Sequence, residues 1–223
     1  TVTATITIDA ANAGNLATKS TDKITVKANA NSSSFDGSTG LAALKTLKTK
    51  TQSPITATVN ATKAELTNST SDGSVLTTDS SDSITINVSS GQFQFIDGST
   101  GDSDIAIFKA IRNATDTSVI TADITGTSAK YKSDLTSKAT DKITIEVTDA
   151  YTGASHADLN DVLGKTAGVV TASISGNQSQ VNTTNLSNMT STDVINLTVS
   201  DTYDGTAADV FELSGHDRVV AGI

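Results

Sequence analysis

Nine short apolar runs of two alternating kinds constrain this chain more than any other feature. The first kind reads apolar-Thr-Ala-x-apolar. It occurs at Val2-Thr3-Ala4-Thr5-Ile6, Ile55-Thr56-Ala57-Thr58-Val59, Ile120-Thr121-Ala122-Asp123-Ile124 and Val170-Thr171-Ala172-Ser173-Ile174. The second carries a large residue where the first has Ala: Ile24-Thr25-Val26, Ile84-Thr85-Ile86-Asn87-Val88, Ile143-Thr144-Ile145-Glu146-Val147 and Ile195-Asn196-Leu197-Thr198-Val199. The terminal Val219-Val220-Ala221-Gly222-Ile223 resembles a ninth run, of the Ala kind. An Asp stands one or two residues before each large-type run (Asp22, Asp82, Asp141, Asp193), and a Leu six or seven residues before that Asp (Leu16, Leu76, Leu135, Leu186).

Alternation of period two is the signature of a half-buried strand. It places Ala4, Val26, Ala57, Ile86, Ala122, Ile145, Ala172 and Leu197 on an inward face and their Thr neighbours outward. If successive strands are neighbours, small and large inward side chains take turns across the sheet and interdigitate. Helix-like apolar stripes follow the large-type strands: Leu41-Leu44-Leu47, Ile105-Phe108-Ile111 with Ile107, Leu159-Val162-Leu163 and Val210-Phe211-Leu213. Asp104 and Ser155 are expected N-caps. Strand starts lie about 21 to 36 residues apart, a length that suits parallel strands joined by crossovers.

The expected fold is a β-rich α/β solenoid with mostly parallel strands and short helices on one side. The alternative is a tandem pair of immunoglobulin-like β-sandwiches, which the scarcity of tight two-residue hairpins disfavours. The solenoid reading makes residues 1–223 one elongated domain of repeats 1–54, 55–118, 119–168 and 169–217, with a further repeat starting at 218–223. A split into two domains would fall near 115–119.

Composition narrows the function. Apolar residues make up 36 % and aromatics 4 % of the 223 residues, so the core is built from Ile, Val, Leu and Ala. Roughly 30 % of the chain is Ser or Thr. The formal net charge is −9, and no basic stripe is present to displace counterions from nucleic acid or to attract an anionic membrane. With no Cys there is neither a disulfide nor a thiolate metal site. No run of about 18 apolar residues offers a membrane span, and no signal peptide opens the chain, so an interior piece of a longer protein is expected. An extracellular, cell-surface setting follows as the expectation.

The alternation of a Thr-Ala-x-Ile strand, an Asp-Lys-Ile-Thr-Ile-x-Val strand (Asp141 to Val147) and an Asp-Leu-x-x-Val-Leu-x-Lys-Thr stripe (Asp158 to Thr166) resembles the tandem repeats of giant bacterial, cyanobacterial-type cell-surface proteins. These are S-layer-like or adhesin-like. The match is best from Val119 to Val199 and loose over the rest. The resemblance implies a structural and adhesive role, often with calcium, and no catalytic residues.

Chemistry-bearing residues are few. Neither His156 nor His216 belongs to a recognisable catalytic motif, and both are expected to be solvated loop residues. The chain is therefore expected not to be an enzyme. Carboxylates beside Gly follow the large-type strands at Asp36, Asp97, Asp102, Asp104, Asp149, Asp201 and Asp204. Such turns can offer calcium its hard oxygens, and Asp97, Asp102 and Asp104 are the foremost candidates. Asn31, Asn60, Asn68, Asn113, Asn177 and Asn188 head Asn-x-Ser/Thr sequons and are candidate glycosylation sites. Thr-x-Thr rows could order water on a flat face. Phe93 and Phe95 form the one aromatic cluster that could stack a sugar.

Two functions remain. One is a structural repeat segment of a secreted S-layer, sheath or surface filament that self-associates through its repeats or strand edges. The other is an adhesin or carbohydrate-binding stalk, calcium-dependent and facing surface polysaccharide.

Overall fold

A computed structural model describes residues 1–18, 22–28, 35–51, 53–66, 81–114, 119–182, 186–200 and 220–221. Ten strands run β1 Thr3–Ile8, β2 Lys23–Ala28, β3 Ile55–Ala61, β4 Ser83–Val88, β5 Phe93–Phe95, β6 Val119–Gly126, β7 Lys142–Thr152, β8 Val170–Gly176, β9 Val194–Val199 and β10 Val220–Ala221. The helices are α1 Gly37–Lys50, α2 Ser99–Ala114, α3 Ser128–Asp134, α4 His156–Leu163 and α5 Gln178–Asn182, with 3-10 turns at Ala10–Asn15 and Gly153–Ser155. All nine expected runs fall on strands; β5 is an additional one.

The chain divides into two compact units, Thr1–Phe93 with Ala106–Ala122, and Gln94–Ile105 with Asp123–Ile223. In the first, the strand order is β1-β2-β3-β4 followed by the start of β6. In the second, the end of β6 is followed by β7-β8-β9-β10, and β5 pairs with β6. Every pair with a described register is parallel. The architecture is therefore α/β, with mostly parallel strands and short helices. The hairpins of a β-sandwich are not found among the described residues.

Neighbours that follow chain order, crossed over with one hand, carry all their connections on one face. The burial agrees. Successive residues of β3 alternate between buried and open, as do those of β7 and β9. The inward set includes Ile55, Val59, Ile86, Ile145, Val170 and Ile174, each fully enclosed. Helix stripes cover it: Leu44 and Leu47 of α1, Phe108 and Ile111 of α2, and Leu159 and Val162 of α4 are all buried. The stripe at Val210, Phe211 and Leu213 lies outside the described residues.

Register corrects the expected small–large alternation. Ala4, Ala57 and Ala172 stand opposite Ile24, Ile84 and Ile195, the first apolar residue of the next strand. Val26, Ile86, Ile145 and Leu197 instead stand between large residues on at least one side. Their partners on the following strand are Ile55, Ile120, Val170 and Ala221. One column of inward residues mixes small with large, and the next is nearly all large. The cause is stagger. Ile6 faces Val26 and Val26 faces Ile55, so successive Thr-Ala motifs are offset by four residues, about 13 Å along the strand. The same offset links Val59, Ile86 and Ile120, and again Ile174, Leu197 and Ala221.

The entry to each long helix is built alike. Gly37 and Gly98 have φ of 60° and 107°, a left-handed conformation that glycine adopts freely. Three residues on, a Cβ at Gly40 or Gly101 would lie 1.9 Å from backbone atoms of Phe35 or Ile96. That leaves no room for any other residue in either Asp-Gly-Ser-Thr-Gly segment.

Candidate functional site

The arrangement that recurs is not a pocket but the start of each strand. A parallel strand points the N–H and C=O of alternate residues to opposite neighbours. Here inward residues point theirs forward, toward the next strand in the order: the amide of Val26 donates to Pro54 O (3.1 Å) and that of Ile145 to Val169 O (2.8 Å). Where the next strand has not yet begun, the Asp before it supplies the acceptor. Asp22 Oδ1 accepts from Val2 N (2.9 Å), Asp82 Oδ1 from Ile55 N (2.8 Å) and Asp193 Oδ1 from Val170 N (2.7 Å). Asp193 Oδ2 also accepts from Thr190 N (2.7 Å), and Asp141, fully buried, accepts from Lys138 N (2.9 Å) in the same way.

At large-type strands a hydroxyl does this work. Ser53 Oγ accepts from Ile24 N (3.0 Å) and Thr166 Oγ1 from Ile143 N (2.9 Å). Each acceptor satisfies a donor that would otherwise be orphaned at the rim of the sheet. The regular Asp seen in the sequence is thus a strand-start clamp. Lys48 Nζ closes one of these clamps, 2.6 Å from Asp82 Oδ2.

The expected calcium turn is arranged otherwise. Asp97 and Asp102 share the Lys130 ammonium, at 3.1 and 3.5 Å, and the hydrogen bond to Asp97 raises the Lys130 pKa above its ordinary value. Asp104 is no N-cap. It lies inside α2, is buried, and accepts from Gln94 N at 2.8 Å. Asp36 accepts from the amide and side chain of Asn60, and Asp149 from the amide and hydroxyl of Ser128. Among the described residues no three metal-capable side chains converge. Asp201 and Asp204 lie outside them.

His156 corrects the expectation of a solvated loop. It begins α4, is buried, and has both ring nitrogens against carbonyl oxygens: Nδ1 3.4 Å from Gln180 and Nε2 3.2 Å from Ser175. Ser155, expected to cap this helix, instead exchanges bonds with Thr152 across the preceding 3-10 turn. His216 lies outside the described residues.

Phe93 and Phe95 offer no open platform, since both are fully buried. Phe93 meets Phe108 edge-on at 5.5 Å, and Phe95 stacks on Tyr131 at 5.7 Å. Of the sequons, Asn31 and Asn68 lie outside the described residues. Asn60 is tied between Asp36 and Asn87, Asn177 accepts from Gln180 N, and Asn188 donates to the Asn160 carbonyl. Asn113 is exposed near the end of α2.

The outward sheet face is polar. Its columns mix residue types: Thr7, Lys27, Thr56 and Ser83 share one row, as do Asn60, Asn87 and Thr121. In the second unit Glu146, Thr171 and Val194 share another. A regular Thr array for ordering water is not formed.

At one end of the strand order stands β1, whose sole neighbour is β2. Its inward residues Ala4, Ile6 and Ile8 are only half-buried. Thr3, Thr5 and Thr7 have the opposite parity, so their N–H and C=O groups point to the open side. The sequence foretold strand edges but not which residues would be left uncovered. No family model matches this chain, and neither a curated protein nor a solved structure does. Among the described residues no helix is long and apolar enough to cross a membrane.

Proposed function

We propose that this chain is a structural repeat segment of a secreted cell-surface assembly, an α/β solenoid whose copies associate as an S-layer, sheath or filament. One observation carries the reading: four large-type strands meet the following Ala-type strand in the same register, Val26 with Ile55, Ile86 with Ile120, Ile145 with Val170 and Leu197 with Ala221. A pairing rule that holds across variable loops is what a load-sharing stack of repeats needs. The periodic Asp residues serve strand starts rather than a substrate, and the described His156 is turned into the protein, which supports a non-enzymatic role. An adhesin or polysaccharide-binding role loses its aromatic platform with the burial of Phe93 and Phe95.

The test is electron microscopy of the purified chain at rising concentration, with and without millimolar calcium. Ordered sheets or filaments are the expected result. Only dispersed single particles at high concentration would overturn the reading.

A further inference from the structure

We infer that β1 of one copy docks on β9 of a second copy, taking the place of β10, with Val2 opposite Leu197 and Thr3 opposite Thr198. This deepens the scaffold reading above by naming the contact, and rests on it.

The register rule identifies the partner. Val2 occupies the first apolar position of its motif, the position of Ile55, Ile120 and Val170 in β3, β6 and β8. Those three are each 0 % exposed, whereas Val2 is 55 % exposed. Each of the three stands against the middle residue of a large-type strand, namely Val26, Ile86 or Ile145. What β1 lacks is therefore a large-type strand on its open side, where Thr3, Thr5 and Thr7 hold backbone groups ready to pair.

β9 is the strand whose place in the order suits it. It is the last large-type strand, and its following neighbour is the two-residue β10, with Ala221 where the other pairs have Ile or Val. Exchanging Ala221 for Val2 covers Leu197 with a larger apolar side chain and removes Val2 from water, so both ends gain buried area. The contact is head-to-tail, joining different surfaces of the two copies, and so propagates instead of closing at a dimer.

The chain has no Cys, which makes cross-linking unambiguous. Full-length Thr3→Cys and Thr198→Cys variants are mixed under reducing conditions and then exposed to a mild oxidant. A mixed disulfide dimer is expected at several-fold the yield of Thr3→Cys mixed with Thr144→Cys, because directly paired strands hold Cα atoms within disulfide reach. Equal yields, or a predominance of Thr3→Cys homodimers, would overturn the assignment.

A second arm uses sedimentation. Thr5→Pro removes a donor facing the open side and leaves the β2 side intact, the one setting in which strand proline is tolerated. The wild type is expected to gain mass with concentration while Thr5→Pro stays monomeric with an unchanged circular dichroism spectrum. Unaltered association of Thr5→Pro would refute the docking. Should that variant misfold, Val2→Asp carries the same expectation. Ordered assemblies in the microscope without the cross-link would sink the β1–β9 contact alone. The cross-link without ordered assemblies would sink the scaffold reading alone.

Discussion

β1 and β8 carry nearly the same motif, Val-Thr-Ala-Thr-Ile against Val-Thr-Ala-Ser-Ile, yet they sit differently. In β8 Val170, Ala172 and Ile174 are buried, between β7 on one side and β9 on the other. In β1 the matching inward residues are half-open, with β2 on one side alone. Sequence identity fixes which face of the strand turns inward. Neighbours decide how completely that face is covered, and with it how much each side chain contributes.

The largest effect should come from cutting the same side chain at both places. Ile174→Ala is expected to cost about 3–4 kcal/mol and Ile6→Ala about 1–2 kcal/mol, since a cavity forms only where the surroundings cannot collapse. Chemical denaturation of the two variants would show this, and equal losses would erase the distinction between edge and interior.

Next come the clamps. Asp193→Ala strands the amides of Val170 and Thr190 at a buried site and is expected to cost about 2–3 kcal/mol. Asp22→Ala exposes the Val2 amide to water and should cost under about 1 kcal/mol. If the two cost the same, the clamps do not act by satisfying buried donors.

Two buried tyrosines sharpen the comparison within the interior. The Tyr131 hydroxyl donates to Glu146 O at 2.9 Å, while the Tyr151 hydroxyl has no hydrogen-bond partner. Tyr131→Phe is therefore expected to lose about 1 kcal/mol and Tyr151→Phe to be neutral or stabilising. Burial raises both phenol pKa values well above the ordinary value of 10. The unfolded chain then ionises first, so their stabilisation is complete below pH 10 and drains away as pH rises beyond it. Replacing both by Phe should flatten the alkaline limb of a pH–stability curve.

The smallest effect is expected at Glu65. Hydrogen bonds from the amide and hydroxyl of Thr62, with lesser ones from Ser38, hold its pKa below the ordinary value of 4.5. Its stabilisation is present above that value and is lost as pH falls through the lower, folded pKa. Glu65→Gln should remove a slight acid-side loss in thermal melts and change nothing at neutral pH.

Much of the strand layout was legible because period-two alternation is written locally. Ala57, Ile86, Ala122, Ile145, Ala172 and Leu197 all turn inward as the pattern implied. Leu135 and Leu186, noted only for their spacing, are buried beneath the connections. The stagger was not legible. It depends on where each crossover delivers the chain, which no single segment encodes, so Ala4 faces Ile24 instead of Val26.

The chemistry of the Asp residues was half legible. Their period was plain, but a turn-forming, metal-binding or amide-accepting carboxylate has the same neighbours in sequence. Only the approach of Ile55 N to Asp82 or Val170 N to Asp193 separates these roles. Phe93, Phe95 and His156 were misplaced for a related reason. Polar, Gly-rich surroundings suggested exposure, whereas helix packing over the sheet encloses all three.

The claim on which the rest depends is that inward residues direct their backbone groups forward and outward residues direct theirs back. Residue-resolved amide hydrogen exchange, in solution dilute enough to keep the chain monomeric, tests it most directly. Within β1 the amides of Ala4, Ile6 and Ile8 should be protected and those of Thr3, Thr5 and Thr7 should exchange freely, while Thr171 and Ser173 of β8 are protected along with their neighbours. Uniform protection along β1, or the opposite alternation, would contradict the strand order and the open edge together.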